Sequence, residues 1–350
     1  MSKLCIAVLF GGCSTEYGVS LQSAHALLSH IDKGKYDVLP VGIDRAGRWF
    51  YYFGFIDAIL DGTWCDDLDN CIPCAISPNR GAPELILFGD EVERVPFDAA
   101  FPVLHGKNGE DGTVQGLIEL AGIPLIGCDT LSSALCMDKD RAHKLAALAG
   151  VRVPQSMAFE RGAAMKELYA AADTLGYPLF VKPVRAGSSF GITKVLGSGD
   201  LEAAVQAAFR HDSEILLEEA IEGFEVGCAV LGNQELMTGA VDEIELSEGF
   251  FDFEEKYTLK TSKIHCPARI SPEQARQVQE TAKRIYRALH CRVFARVDLF
   301  LTPQGELVFN EVNTIPGFTA HSRYPNMMQA AGLGFGELVE RLIALGLETP

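Results

Sequence analysis

The stretch FARVDLFLTPQGELVFNEVN, Phe294 to Asn313, places the tightest constraint on how this chain can fold. Two runs rich in Val, Leu and Phe flank a Gln-Gly turn signal, the pattern of a β-hairpin. Taking Gln304 and Gly305 as the loop sets Pro303 opposite Glu306 and, counting outward, Asp298 opposite Glu311. Strand alternation then predicts Arg296, Asp298, Glu311 and Asn313 on one face. Opposed carboxylates repel one another and weaken a sheet, so something must compensate. A solvated acidic face would screen the repulsion, but the apolar residues around these acids favour a bound cation. Oxygen ligands suit Mg²⁺, which takes few protein groups and fills its shell with water and phosphate oxygens. Arg296 has a second reading here, as a structural ion-pair partner of Asp298.

The rest of the chain is an α/β arrangement in three regions. Strands and helices alternate from residue 1 to about 128, with an irregular, turn-rich insert from Gly54 to Pro96. A compact block follows over 129–217, with helices expected at Asp138–Ala149, Ala163–Leu175 and Leu201–Arg210 and strands at Pro178–Pro183 and Ile215–Leu217. Residues 218–350 hold several strands, a helix over Pro272–Leu289 and the hairpin. At 350 residues, 48% hydrophobic and 22% charged, the chain is globular and long enough for two or three packed domains.

A formal net charge of −17 argues against a nucleic-acid partner, because such affinity comes largely from Lys and Arg neutralising phosphates. No apolar run approaches the roughly 18 residues of a membrane helix, and no basic-then-apolar leader opens the chain, so a cytoplasmic protein is expected. The ten cysteines are scattered through expected strands and helices, as reduced core thiols are. The C-x-x-C of Cys71 and Cys74 has no second pair at zinc spacing and reads as incidental.

Two further stretches carry chemistry. In VLFGGCSTEYGVSLQSA, a strand, Gly11-Gly12 and a helix start imitate a nucleotide turn but match neither G-x-G-x-x-G nor the P-loop. Glu16 sets a carboxylate where a phosphate would need positive charge, and suits an ammonium group better. An acidic residue opening a helix is also ordinary, since the dipole favours it. In LFVKPVRAGSSFGITKV, Lys182 ends a strand before Gly187, Ser188, Ser189 and Gly191, where backbone N–H groups and hydroxyls can hold phosphate oxygens. Lys139 in MDKDR can reach the same phosphates. Glu218 and Glu225 flank an exposed backbone stretch suited to adenine and ribose hydroxyls.

Taken in order, G-G-x-S-x-E-x-x-V-S, HGKNGEDGTVQG, MDKDR, KPVRAGSSFG, FDFEEKY, ARVD and NEVNTIPGFT resemble the D-alanine–D-alanine ligase family over essentially the whole chain. Within it the chain most resembles the G-type vancomycin-resistance ligases, which join D-alanine to D-serine. The resemblance implies the ATP-grasp fold in three domains, the first a Rossmann-like pre-ATP-grasp domain. It also implies ATP, two Mg²⁺ ions with Mn²⁺ as a substitute, and a homodimer. The metal set it implies is Asp298, Glu311 and Asn313. The nucleotide set is Lys139, Lys182, Ser188, Ser189, Glu218, Ile221 and Glu225. Glu16 takes the first D-alanine's ammonium with His105 beside it, Arg296 and the Gly317 N–H serve the oxyanion, and Ser322 holds the second substrate's carboxylate. A lid around 247–263 carries Phe251, Lys256 and Tyr257, with Lys256 reaching the phosphate and Tyr257 reaching toward Ser188 and Glu16. Phe251 and Phe253 depart from the family's F-Y-D-Y-x-x-K-Y. Arg323, usually apolar in D-alanine–D-alanine ligases, supplies donors for a substrate hydroxyl, and Asp242 can orient it. Ligases that make D-lactate esters share the arginine but generally lack the Lys-Tyr pair, so D-serine is the expected second substrate.

Overall fold

The computed structural model describes residues 3–187, 190–246 and 262–348. Three sheets organise it. The first has seven strands in the order β6-β5-β4-β3-β2-β1-β7: β1 Leu4–Gly11, β2 Tyr36–Ile43, β3 Trp49–Tyr52, β4 Cys71–Ile76, β5 Glu84–Phe88, β6 Val92–Pro96 and β7 Ala99–Pro102. β1 runs parallel to both β2 and β7. It is buried on both faces, with Ile6, Val8 and Phe10 in one apolar cluster and Ala7 and Leu9 in another, which is why its sequence is a continuous hydrophobic run rather than an alternation. The region read as an irregular insert instead supplies β4, β5 and β6, paired antiparallel onto the edge beyond β3. Its strands are short and separated by Gly and Pro, so the turn signals masked them.

The second sheet is antiparallel, β10-β9-β11-β8, from β8 Ser156–Glu160, β9 Leu179–Pro183, β10 Thr193–Val195 and β11 Glu214–Glu219. The helices Met165–Leu175 and Leu201–Ala208 share its apolar core. The third is β14-β13-β12-β15-β16, from β12 Phe224–Leu231, β13 Met237–Leu246, β14 Ser262–His265, β15 Phe294–Leu301 and β16 Leu307–Asn313. On β12 the alternation is strict: Val226, Cys228 and Val230 join an apolar cluster with the helix Pro272–Ala288, while Glu225 and Gly227 fall on the opposite face. The helix Lys139–Leu148 adds Ala142 and Ala146 to that same cluster. The helices Arg323–Ala330 and Phe335–Leu347 return to the first sheet, where Tyr324, Met327, Leu338 and Leu342 pack in the cluster of Ile6, Val8 and Phe10.

Asp298 does pair with Glu311, and Arg296 with Asn313, but by a different route from the count on the sequence. The loop has three residues, with Thr302 accepting from the Gly305 N–H and donating its own N–H to the Glu306 carbonyl; Gly305 stands at φ +83°, the left-handed position such a loop requires. That moves the register by one. A bulge between Asp298 and Leu299, opposite the Phe309–Glu311 step, moves it back.

Candidate active site

The opening turn is built by two glycines at positive φ, Gly11 at +90° and Gly12 at +97°. The Gly11 N–H donates to Ser20 Oγ at 2.8 Å, and that hydroxyl donates to the Val103 carbonyl at 2.6 Å, so the helix Tyr17–His30 pins the turn that precedes it. Glu16, at the cap of this helix, is buried. A Cβ on Gly106 would stand 2.5 Å from its Oε2, and one on Gly187 3.0 Å away. The acid therefore sits where the loop after His105 and the loop after Lys182 come together.

His105 is buried, with both ring nitrogens engaged: Nε2 lies 3.0 Å from Ser23 Oγ and Nδ1 lies 2.8 Å from the Ile315 carbonyl. Ser23 Oγ also accepts from the Phe318 N–H at 3.1 Å. Burial lowers the imidazole pKa, against the pull of nearby Glu16. A neutral ring tying two loops together is thus what His105 contributes. Sequence reading missed its neighbour Glu110, which accepts from the N–H groups of Gly106 at 2.7 Å and Ile315 at 3.2 Å. Burial, reinforced by Glu16, pushes this carboxyl up to about 8. Two glutamates within the GGCSTE and HGKNGED segments gave no hint of proximity, since 94 residues of chain separate Glu16 from Glu110.

A cavity of about 440 Å³ lies between the second and third sheets, within the size range of small-molecule sites. Lys139, Lys182, Glu218, Ile221, Glu225 and Glu311 all line it. Lys182 Nζ is bonded to Glu218 Oε1, both groups being buried. Lys139 Nζ donates to the Ala186 carbonyl at 2.8 Å and stands 3.8 Å from Glu311 Oε2, joining the loop before Gly187 to the hairpin. His143, not singled out from sequence, gives Nε2 to the Asn310 carbonyl at 2.9 Å. Its Nδ1 lies 3.9 Å from Glu218 Oε2, and both atoms are buried with no hydrogen-bond partner among the described residues. Burial lowers the His143 pKa, so a neutral ring and a carboxylate present two acceptors to one spot. That is a place for a donor.

On the third sheet Asp298, 1% exposed, is already heavily engaged. It accepts from Arg296 Nε at 2.9 Å and Nη2 at 2.8 Å, and from Asn313 Nδ2 at 3.0 Å. Arg296 is therefore an ion-pair partner of Asp298 in this structure. The donor set still suits a hard divalent cation, since the carboxylates of Asp298 and Glu311 oppose each other in register with the Asn313 amide beside them. Among the described residues no three His, Cys, Asp or Glu side chains form a closed metal cluster.

Arg323 opens the helix Arg323–Ala330. Its side chain, 9% exposed, gives Nε and Nη2 to the two oxygens of Asp242 at 2.7 and 2.8 Å and Nη1 to Glu225 at 2.8 Å, with Nη2 3.4 Å from Asp298. The expected contact with Asp242 is present, but the guanidinium is the hub of a carboxylate cluster rather than a group extended into open space. Ser322 Oγ accepts from the Thr319 N–H at 3.0 Å, and a Cβ on Gly317 would stand 3.1 Å from it. Ser188, Ser189, Phe251, Lys256, Tyr257 and the lid expected from 247 lie outside the described residues.

The α/β scaffold, with its cavity of about 440 Å³ between two antiparallel sheets, has the architecture of the ATP-grasp ligases. Comparison with known proteins makes this particular. The family descriptions "D-ala D-ala ligase N-terminus" and "D-ala D-ala ligase C-terminus" match residues 5–128 and 145–344. The chain belongs to the D-alanine–D-alanine ligase family of ATP-dependent ligases. It is 46% identical to the vancomycin B-type resistance protein VanB of Enterococcus faecalis, over 99% of this chain and 100% of that one. It is 44% identical to the D-alanine–D-alanine ligase of Caldicellulosiruptor bescii, over 99% and 96%. Among solved structures, the VanG D-Ala:D-Ser ligase from Enterococcus faecalis is 59% identical with a TM-score of 0.91, covering 99% of this chain and 100% of that one. No helix among the described residues is long and apolar enough to cross a membrane.

Proposed function

We propose that this protein joins D-alanine to D-serine in a reaction dependent on ATP and Mg²⁺, making peptidoglycan precursors with lowered affinity for vancomycin. The observation that carries the reading is Arg323, whose side chain is only 9% exposed and is held by Asp242 immediately after Ser322. The 59% identity to a chain titled D-Ala:D-Ser ligase supports it.

A carboxylate is a poor acyl donor, so a D-alanine carboxylate oxygen first attacks the γ-phosphorus of ATP, expelling ADP and forming an acyl phosphate. Lys139 and Lys182 hold the phosphates. Glu218, Ile221 and Glu225 receive base and ribose, with the unfilled acceptors of Glu218 Oε2 and His143 Nδ1 suited to an amino group. Buried Glu16 pairs with the ammonium of the first D-alanine. Asp298, Glu311 and Asn313 would hold the divalent cation, one or two Mg²⁺ ions with Mn²⁺ an alternative, which would supply charge neutralisation to the phosphoryl group. The amine of the second substrate then attacks the acyl carbonyl and phosphate leaves. The Gly317 N–H and Arg296 stabilise the oxyanion, Arg296 drawing on N–H groups beyond those committed to Asp298. Ser322 takes the acceptor's carboxylate. A methyl group needs only an apolar wall, whereas a hydroxymethyl group needs a hydrogen-bonding partner, which Arg323 supplies. Ser188, Ser189, Phe251, Lys256 and Tyr257 keep the roles the resemblance implies. The same reading carries a cytoplasmic homodimer and a division of the chain at about 128 and 217.

A D-alanine–D-alanine ligase is the second reading, favoured by the commitment of Arg323 N–H groups to three carboxylates. Mass spectrometry of the dipeptides formed from ATP and equal D-alanine and D-serine decides between them. D-Ala-D-Ser is expected to dominate, with Arg323→Leu shifting the product toward D-Ala-D-Ala by about tenfold or more. Wild type that makes almost only D-Ala-D-Ala overturns the D-serine reading.

A further inference from the structure

Gly227 lies in the middle of β12, the central strand of the third sheet. It pairs with Asp242 on β13 and with Asp298 on β15. The three residues form one row across three strands, and residues opposite one another in a sheet project to the same side. Two carboxylates therefore flank a position that has no side chain. The backbone does not demand glycine there, because Gly227 is not among the residues at positive φ. A glycine inside a strand weakens it unless something must approach closely, and what approaches is the Arg323 guanidinium. A Cβ built on Gly227 would lie well inside van der Waals contact distance of Arg323 Nη2, 2.5 Å from Asp242 Oδ1 and 3.0 Å from Asp298 Oδ1. The notch is one side chain wide, and a flat guanidinium fills it.

We infer that Gly227 is a specificity-determining position: its missing side chain is the seat that holds Arg323 against both Asp242 and Asp298. The inference rests on the reading of Arg323 as the group that selects D-serine. Gly227 is a positioning residue, acting on the acceptor only through Arg323. The notch also fixes where the guanidinium lies relative to the hairpin acids, because Asp298 borders it on one side and pairs with Glu311 on the other. Adding one methyl group at this position displaces the far end of a long side chain more readily than it displaces the strand.

The test is Gly227→Ala in wild-type and Arg323→Leu backgrounds, with the ratio of D-Ala-D-Ser to D-Ala-D-Ala measured from equal D-serine and D-alanine. In the wild-type background the ratio is expected to fall by about tenfold or more. In the Arg323→Leu background the same substitution is expected to change it by less than about twofold, since the guanidinium it displaces is gone. A general weakening of the sheet would lower turnover with both acceptors and leave the ratio alone. An unchanged ratio in Gly227→Ala, or an equal fall in both backgrounds, overturns the assignment. Melting temperatures give a second readout, because the drop caused by Gly227→Ala is expected to be smaller when Arg323 is Leu; an equal drop overturns the assignment. Wild type without a D-serine preference overturns both this inference and the reading beneath it, whereas wild type that prefers D-serine and a Gly227→Ala variant that keeps the preference overturn this inference alone.

Discussion

The Arg323 cluster in the third sheet and the Lys182 cluster in the second both bury charge, yet they satisfy it to different degrees. Around Arg323, Nε, Nη1 and Nη2 each meet a carboxylate, and Asp242 is bound by two parallel N–H groups, the geometry that makes arginine a rigid fork. Around Lys182 a single pair is closed with Glu218, while Glu218 Oε2 and His143 Nδ1 are left facing each other as acceptors. Buried polar groups are ordinarily paired, so the more fully paired cluster reads as fixed structure that shapes a pocket. The unsaturated one reads as a surface awaiting a ligand. On the proposed function, the same kind of buried ion pair serves selection in one sheet and binding in the other.

The strongest challenge to this contrast is at the hairpin, where the Arg323 cluster reaches the face proposed to hold the metal. Asp298→Asn and Glu311→Gln should each lower ATP turnover by more than about 100-fold, a loss of the size seen when a group that stabilises developing charge is removed. Their stabilities should separate. Counting strand register alone suggests that removing either acid relieves repulsion. The structure reverses that for Asp298, whose loss leaves Arg296 and Arg323 short of a buried partner, a change that costs about 3–5 kcal/mol when an ion pair is broken from one side. Glu311, more exposed and 3.8 Å from Lys139, should cost less. Thermal melts that rank the two variants the other way would break the comparison.

A smaller effect is expected at Glu218→Gln. It weakens the pair with Lys182 and alters the orphan acceptor site, so the KM for ATP should rise by about tenfold while the D-serine to D-alanine product ratio stays as in wild type. A parallel shift in that ratio would mean that the clusters do not act separately.

A last effect, on stability alone, belongs to Glu110, which lies in neither cluster. Its carboxyl, ordinarily near 4.5, stands at about 8 in the fold. Below about pH 4 folded and unfolded chains both carry the proton; between there and about 8 the unfolded chain releases it while the folded chain keeps it, so stability falls as pH rises through that window. Glu110→Gln should flatten this fall in a series of melts from about pH 5 to 8. An unaltered slope would remove Glu110 as its source.

Local pattern was enough for the features that depend on neighbours in sequence. The helix Lys139–Leu148 with Asp138 at its cap, the helix Pro272–Ala288 opened by Ser271 and Pro272, and the hairpin carrying Asp298 and Glu311 are all legible from periodicity, capping and turn residues. The hairpin also shows the limit of such reading. A three-residue loop and a bulge each move the register by one in opposite senses, and neither is visible in the strand's alternation.

The sequence by itself determined the family and the arginine at position 323, and it singled out the two lysines and three hairpin residues proposed for nucleotide and metal, since each is an identity within a short motif. Only the tertiary structure decided which charges meet. Arg323 finds Asp242 across 81 residues and Glu225 across 98, His105 finds Ile315 across 210, and the place left for the guanidinium is an absent side chain on a third strand. A glycine in a strand carries no chemical label; what its missing Cβ makes room for depends on strand order and register, which are set by the packing of the whole sheet.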